Sequence, residues 1–284
     1  MKKLSIVLLA VLLLIVFVGC DLSVETMGKM GKNLAGTDKN YVASIIKQTE
    51  PEAAKKKDED GKITITGSNF SISASEGKGS ISIGGKDVKV PSELQTAINK
   101  VLTDSEFSSI ILPTDISDIV LGVKSGSNSE IIKEELKKTA KDDSLKAAQG
   151  TVTLVNAMLD EVQKAVKDDD PEGGFDEVIK DIKGFLPDKG SITNGDVVVL
   201  TALTNIIFNE NVLSNVGSIM EKPESPSDKD AQDKYDSAMK EVTGEMMNQF
   251  SSLLDVVTNV PSGMSNKIND FINDLMDSSD NKEE

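Results

Sequence analysis

The 284-residue chain predicts an α+β protein that is mainly α-helical, a helical bundle-like body with a small antiparallel β-meander near its amino end. Three observations carry this expectation. Between Lys62 and Val90 apolar residues alternate with Ser, Thr or Lys, the period of a strand with one buried face. After Pro91 apolar residues recur at intervals of three and four, the period of an amphipathic helix. Pro and Gly clusters near Pro171, Pro223 and Pro261 cut the helical stretch into pieces.

The first element is a signal peptide over residues 1–19. Lys2 and Lys3 precede an apolar run from Leu4 to Val18, interrupted only by Ser5, and the small Gly19 stands before Cys20. A bilayer-crossing helix needs about 20 apolar residues, so this run suits a cleaved leader better than a permanent anchor. The segment Phe17-Val18-Gly19-Cys20 resembles the lipobox of bacterial lipoproteins, in a loose form familiar in spirochaetes. That resemblance implies cleavage before Cys20 and diacylglycerol on its sulfur, often with further acylation of the new amino terminus by a fatty acid such as palmitate. It covers the first 20 residues alone. Cys20 is also the only Cys in the chain, so no intramolecular disulfide is expected. The expected address is the bacterial cell envelope, with inner or outer membrane left open.

Residues 20–61 read as a lipid-anchored tether with a short helix near Tyr41 to Lys47, ending in the charged blocks Lys55-Lys56-Lys57 and Asp58-Glu59-Asp60 as a solvated loop. The meander follows. Ile63 and Ile65, then Phe70, Ile72 and Ala74, then Ile81 and Ile83, then Val88 and Val90 give four strands, with turns at Gly67 to Asn69, Glu76 to Gly79 and Gly84-Gly85. Helices must cover the apolar face, while Ser71, Ser73, Ser75, Ser80 and Ser82 meet water.

Within the 62–222 body, Ser92 with Gln95 and Ser127 with Glu130 form candidate capping boxes. One helix is expected from Thr151 to Lys167, and a shorter one from the Pro171–Gly174 turn to near Gly184. The most apolar helix, Val197 to Phe208, capped by Thr193 and Asp196, is placed at the centre of the core. Residues 223–233 read as a linker. Residues 234–276 read as a helical hairpin turning at Pro261-Ser262-Gly263, and residues 277–284 as a frayed tail.

Composition removes several chemistries. All 31 basic residues are Lys, and the chain has no His and no Trp, so imidazole bases, histidine metal ligands and the bidentate guanidinium fork are excluded. Without residues 1–20 the chain carries 29 Lys against 47 acids, a formal charge of −18. Taken as a whole, such a balance repels nucleic acid and anionic headgroups, so no nucleic-acid partner is expected. With aromatic residues at 4% a sugar-stacking cleft is also disfavoured.

Few residues select a site. Asp168, Asp170 and Glu172, with Gly173, resemble the front of an EF-hand calcium loop, but Ile179 stands where the closing bidentate Glu belongs. A solvated turn explains them as well, and no metal or other cofactor is expected beyond the covalent lipid on Cys20. Ser44 and Lys47 have the Ser-x-x-Lys spacing of penicillin-binding enzymes without the companion motifs. The apolar stripe of the hairpin, including Met239, Met246, Phe250, Leu253 and Phe271, reads first as core packing. As alternatives it is a face for a protein partner or apolar ligand, or an amphipathic surface that enters a membrane. The expected role is therefore non-enzymatic binding or structural support, with carriage of a lipid or other apolar ligand as the alternative.

Overall fold

A computed structural model describes residues 55–67, 70–83, 85–88, 90, 92–112, 114, 116–125, 129–166, 174–207 and 229–280. The signal peptide, Cys20, Ser44, Lys47 and the short helix expected near Tyr41 lie outside the described residues. The chain is α+β and mainly α-helical, with one antiparallel sheet and eight helices among the described residues.

Alternation of Ile with Ser or Thr builds the sheet. Strands β1 (Lys56–Lys57), β2 (Ile63–Thr66), β3 (Phe70–Ser75), β4 (Lys78–Ile83) and β5 (Lys86–Val88) lie side by side in chain order. The register sets Ile65 opposite Ile72 and Ile72 opposite Ile81, so β-branched side chains stack across one face. Thr64, Ser73 and Ser80 stack across the other, where the Ser73 and Ser80 hydroxyls are 2.8 Å apart and Ser73, expected to meet water, is buried instead.

Two expectations need correction here. The lysine block expected as loop supplies an edge strand: Lys56 and Lys57 pair with Thr64 and Ile63, and the Lys55 amide donates to the Ser108 carbonyl at 2.8 Å. Its charges concealed it, because an edge strand tolerates Lys that a central strand would not. The turn assigned to Glu76 through Gly79 is shorter. Glu76 and Gly77, with φ of 50° and 78°, form a two-residue hairpin loop of the kind that needs positive φ at both places. Gly79 belongs to β4 and serves close approach: a Cβ there would overlap the side chain of Ile98.

Ile98 belongs to α1 (Ser92–Thr103), which lays Leu94, Ala97, Ile98, Val101 and Leu102 on the sheet's apolar face. Its capping box does not form. The Gln95 amide donates to the Val90 carbonyl instead, at 2.7 Å, and the Ser92 hydroxyl to Glu93. Next come α2 (Ser117–Ser125) and α3 (Ser129–Leu136). Ser127 of the second expected box lies outside the described residues, and Glu130 holds Lys133 at 3.0 Å.

The helix expected to start at Thr151 begins nine residues earlier, as α4 (Asp142–Val166). Gly150, which stands just before the expected start, is a crossing point and not a helix boundary. A Cβ on Gly150 would overlap the Ser109 carbonyl oxygen, and the neighbouring Thr151 hydroxyl accepts the Ile111 amide at 2.8 Å. The segment Phe107–Ile111 thus runs directly over the middle of α4.

The chain closes with α5 (Gly174–Phe185), α6 (Asn194–Ile207), α7 (Lys229–Asn259) and α8 (Gly263–Asp280). Helix α7 takes up residues 229–233 of the expected linker, and α8 continues through Asp280 into the expected tail. As foreseen, α6 is central, with Val197, Val198, Val199 and Leu200 fully buried.

Apolar burial gathers into two clusters. One joins the sheet and α1 to Ile110, Leu159 and Ile179. The larger joins α2, α3 and α6 to Leu253, Val257, Met264 and Ile268 of α7 and α8, so the carboxy-terminal hairpin shares the body's core. Val155 of α4 and Ile182 of α5 pack against both.

Candidate functional site

The start of α6 is the most organised polar feature described. Thr193 Oγ1 accepts the Asp196 amide at 3.1 Å, and Asp196 Oδ2 accepts the Thr193 amide and hydroxyl at 2.9 and 2.8 Å, a reciprocal capping box as the sequence indicates. Asp196 Oδ1 then accepts the Met264 amide at 2.9 Å, so one buried carboxylate caps α6 and also the first turn of α8. A Cβ on Gly195 would overlap the Pro261 carbonyl oxygen, so this glycine lets the Pro261–Gly263 turn rest on the helix end. Every oxygen of this junction points at a backbone or hydroxyl partner, which suits it to joining helices rather than to proton transfer.

A groove of about 360 Å³ opens between α2, α6 and α7. Ile116 and Val120 form one wall, Ala202 the floor, and Leu253 and Val256 the opposite wall; Leu121, 38% exposed, stands at the lip. Its polar rim is occupied. Asp255 Oδ1 accepts Lys124 at 2.8 Å and Asn259 at 3.0 Å, while Asn205 donates to the Thr114 carbonyl at 2.9 Å. An apolar side chain or a short acyl segment fits such a space, by burial of area rather than by charge. Ser117 and Ser252 line it, and the one carboxylate among its described lining residues, Asp255, is held by Lys124.

A second recess, about 490 Å³, lies between α4 and α5 with Gln163, Asp176, Lys180 and Lys183 around it. Gln163 donates to Asp176 at 3.0 Å, and Lys183 donates to Asp160 and Gln163 at 2.7 and 3.1 Å. This network binds two helices together.

The residues singled out from the sequence are spread widely. Cys20, Asp168, Asp170 and Glu172 lie outside the described residues. Ile179, at the closing place of the calcium-like loop, is buried in the sheet-side cluster, which accounts for the missing ligand. Met239, Met246 and Phe250 fall on α7, with their side chains outside those described. Leu253 is buried against α6, and Phe271 stacks edge-on against Phe185 with ring centroids 5.1 Å apart. These two side chains are spent on the core. The groove itself was missed, although Ile116, Ile119, Val120 and Val123 mark the buried stripe of α2 that forms its wall.

Surface electrostatics are local. The Lys137 ammonium hydrogen-bonded to Glu134 holds that carboxyl below its ordinary value and is itself raised, and Glu161 raises Lys164 in the same way. Among the described residues no helix is long and apolar enough to cross a membrane. No family model, curated protein or solved structure matches the chain.

Proposed function

We propose that this is a lipid-anchored protein of the bacterial cell envelope whose acidic helical body works without catalysing a reaction, by binding a protein partner or helping to organise the envelope. One observation carries the proposal: the only Cys in the chain directly follows a lysine-led apolar run and Gly19. Each buried methylene contributes about 0.8 kcal/mol, so two or three acyl chains on Cys20 hold the protein to a bilayer without help from the body. Fatty-acid labelling of the wild type and of Cys20→Ala tests this. Label in the wild type and none in the variant supports it; an unmodified Cys20 with residues 1–19 still attached overturns it.

The groove between α2, α6 and α7 favours a second reading, carriage of an apolar ligand. About 360 Å³ matches a short acyl chain or a single large apolar side chain. Native mass spectrometry of the purified protein should then show a copurifying ligand, lost when Ala202→Trp fills the floor. A wild type that is always ligand-free and gains no mass when soaked with medium-chain fatty acid removes this reading.

A further inference from the structure

The whole-chain charge conceals a reversal along the fold. Residues 91–284, which include the helices, carry 18 Lys against 37 acids, whereas residues 55–90, which include the sheet, carry seven Lys against five acids. Lys56, Lys62 and Lys78 are exposed on the sheet and, among the described residues, hold no carboxylate, as is also true of Lys100 and Lys180 on the helices.

Strand alternation decides where these three lysines fall. Lys56 is opposite Thr64, Lys78 is opposite Ser75, and Lys62 shares the parity of Thr64 and Thr66. All three therefore belong to the face away from α1, among Ser71, Ser73, Ser80 and Ser82, together with Asp87 opposite Ser82, and Asp58 in the β1–β2 turn accepts the Lys62 amide at 2.8 Å. The result is a hydroxyl-rich face, with Ser73 itself buried against Ser80, in a region with two more Lys than acids on a molecule that is otherwise strongly negative. Ammonium groups and hydroxyls are the donors that suit phosphodiester oxygens.

The chain's connection points the same way. Residues 21–54 join Cys20 to Lys55, which enters β1 at the edge of this sheet, and a 34-residue stretch spans at most about 120 Å. The sheet is the described part nearest the anchor in sequence. Charge acts over only about 8 Å at physiological salt, so attraction operates where the sheet touches headgroups, and the acidic helices are repelled by the same surface. Resting on the lipid-anchor reading above, we propose that the Lys56, Lys62 and Lys78 face of the sheet is the surface this protein turns toward the anionic headgroups of its own membrane.

The test uses the full lipidated protein on vesicles of phosphatidylcholine alone and of phosphatidylcholine with phosphatidylglycerol, with lysine acetylation followed by mass spectrometry. Lys56, Lys62 and Lys78 should react roughly fivefold more slowly on the anionic vesicles, the factor expected from one lysine at such a surface. Lys133 on α3 and Lys137 just after it should react equally on both, and about 1 M salt should abolish the difference. Equal rates for the sheet lysines on the two vesicles, or uniform slowing of every lysine, would overturn the proposal. So would slowing that tracks protein concentration and ignores lipid charge, which marks a second copy as the occupant. Flotation with the neutral vesicles reports the anchor separately, so loss of the face with flotation intact refutes the face alone.

Discussion

The sheet lobe and the helical lobe solve the problem of assembly differently. In the first, every strand pairs with its neighbour in sequence, and α1 follows at once to cover the apolar face. In the second, the decisive contacts join distant residues: Asp196 with Met264 across 68 positions, Lys124 with Asp255 across 131. Local pairing needs little beyond a periodic pattern, because the loop entropy of each contact is small. Distant pairing needs specific groups at the meeting points. Here those groups are glycines that admit a crossing backbone and a carboxylate that caps two helices.

The largest expected effects come from the crossing points. Gly195→Ala puts a methyl on the Pro261 carbonyl oxygen, and Gly150→Ala puts one on that of Ser109. Backbone cannot swing aside as a side chain can, so each should cost about 3 kcal/mol in urea unfolding. Gly244→Ala on α7 meets nothing within 4 Å and should instead gain about 1 kcal/mol of helix propensity. Equal effects at all three positions would break the distinction between crossing points and ordinary helix.

Replacing the junction carboxylate comes next. Asp196→Ala deprives the Met264 and Thr193 amides of their acceptor and should cost about 2–3 kcal/mol. Its counterpart in the sheet is the Ser73–Ser80 hydroxyl pair, where Ser73→Ala should cost about 1 kcal/mol or less. Calorimetric midpoints that fall alike in both variants would show that the sheet depends on its polar pairs as heavily as the helices do.

This contrast also explains what was legible in advance. The Ile and Ser alternation gave strands β2 to β5 their faces, and the run Val197–Leu200 announced the central helix, because both signals reside in neighbouring residues. Gly150 and Gly79 misled for one reason. A glycine that breaks an element and one that admits another segment look identical until the other segment is in place. The charged β1 was hidden because its pairing, with Ile63 and Thr64, depends on a turn through Gly61 at φ 83° rather than on its own composition. Of the residues proposed for a site, Leu253 and Phe271 were visible as an apolar stripe, but periodicity cannot say whether a stripe faces its own core or a partner.

A smaller effect sharpens the comparison from within the sheet lobe. Glu76 occupies a hairpin position with φ of 50°, where a side chain that bonds its own backbone is better suited. Glu76→Asn should raise stability by about 0.5–1 kcal/mol, seen as slower amide exchange in β3 and β4 with none of the gain reaching α6. A gain that spreads evenly through α6 would mean that the two lobes unfold as one.

The smallest effect concerns pH, and it belongs to the helices. Glu134 is depressed from 4.5 by its bond to Lys137, so its contribution is complete above 4.5 and is lost as pH falls through the lower folded value. Lys137 and Lys164 are raised from 10.5 by Glu134 and Glu161, so theirs is complete below 10.5 and is lost as pH rises through the higher folded value. With no His in the chain, no imidazole tilts stability near neutrality. The thermal midpoint should stay level from about pH 6 to 9. Outside that window, amide exchange should quicken first in α3 and α4, where these exposed pairs lie, and high salt should remove the effect by screening them. A step in stability near pH 7, or acid loss that begins in the sheet, would place the controlling charges in the other lobe.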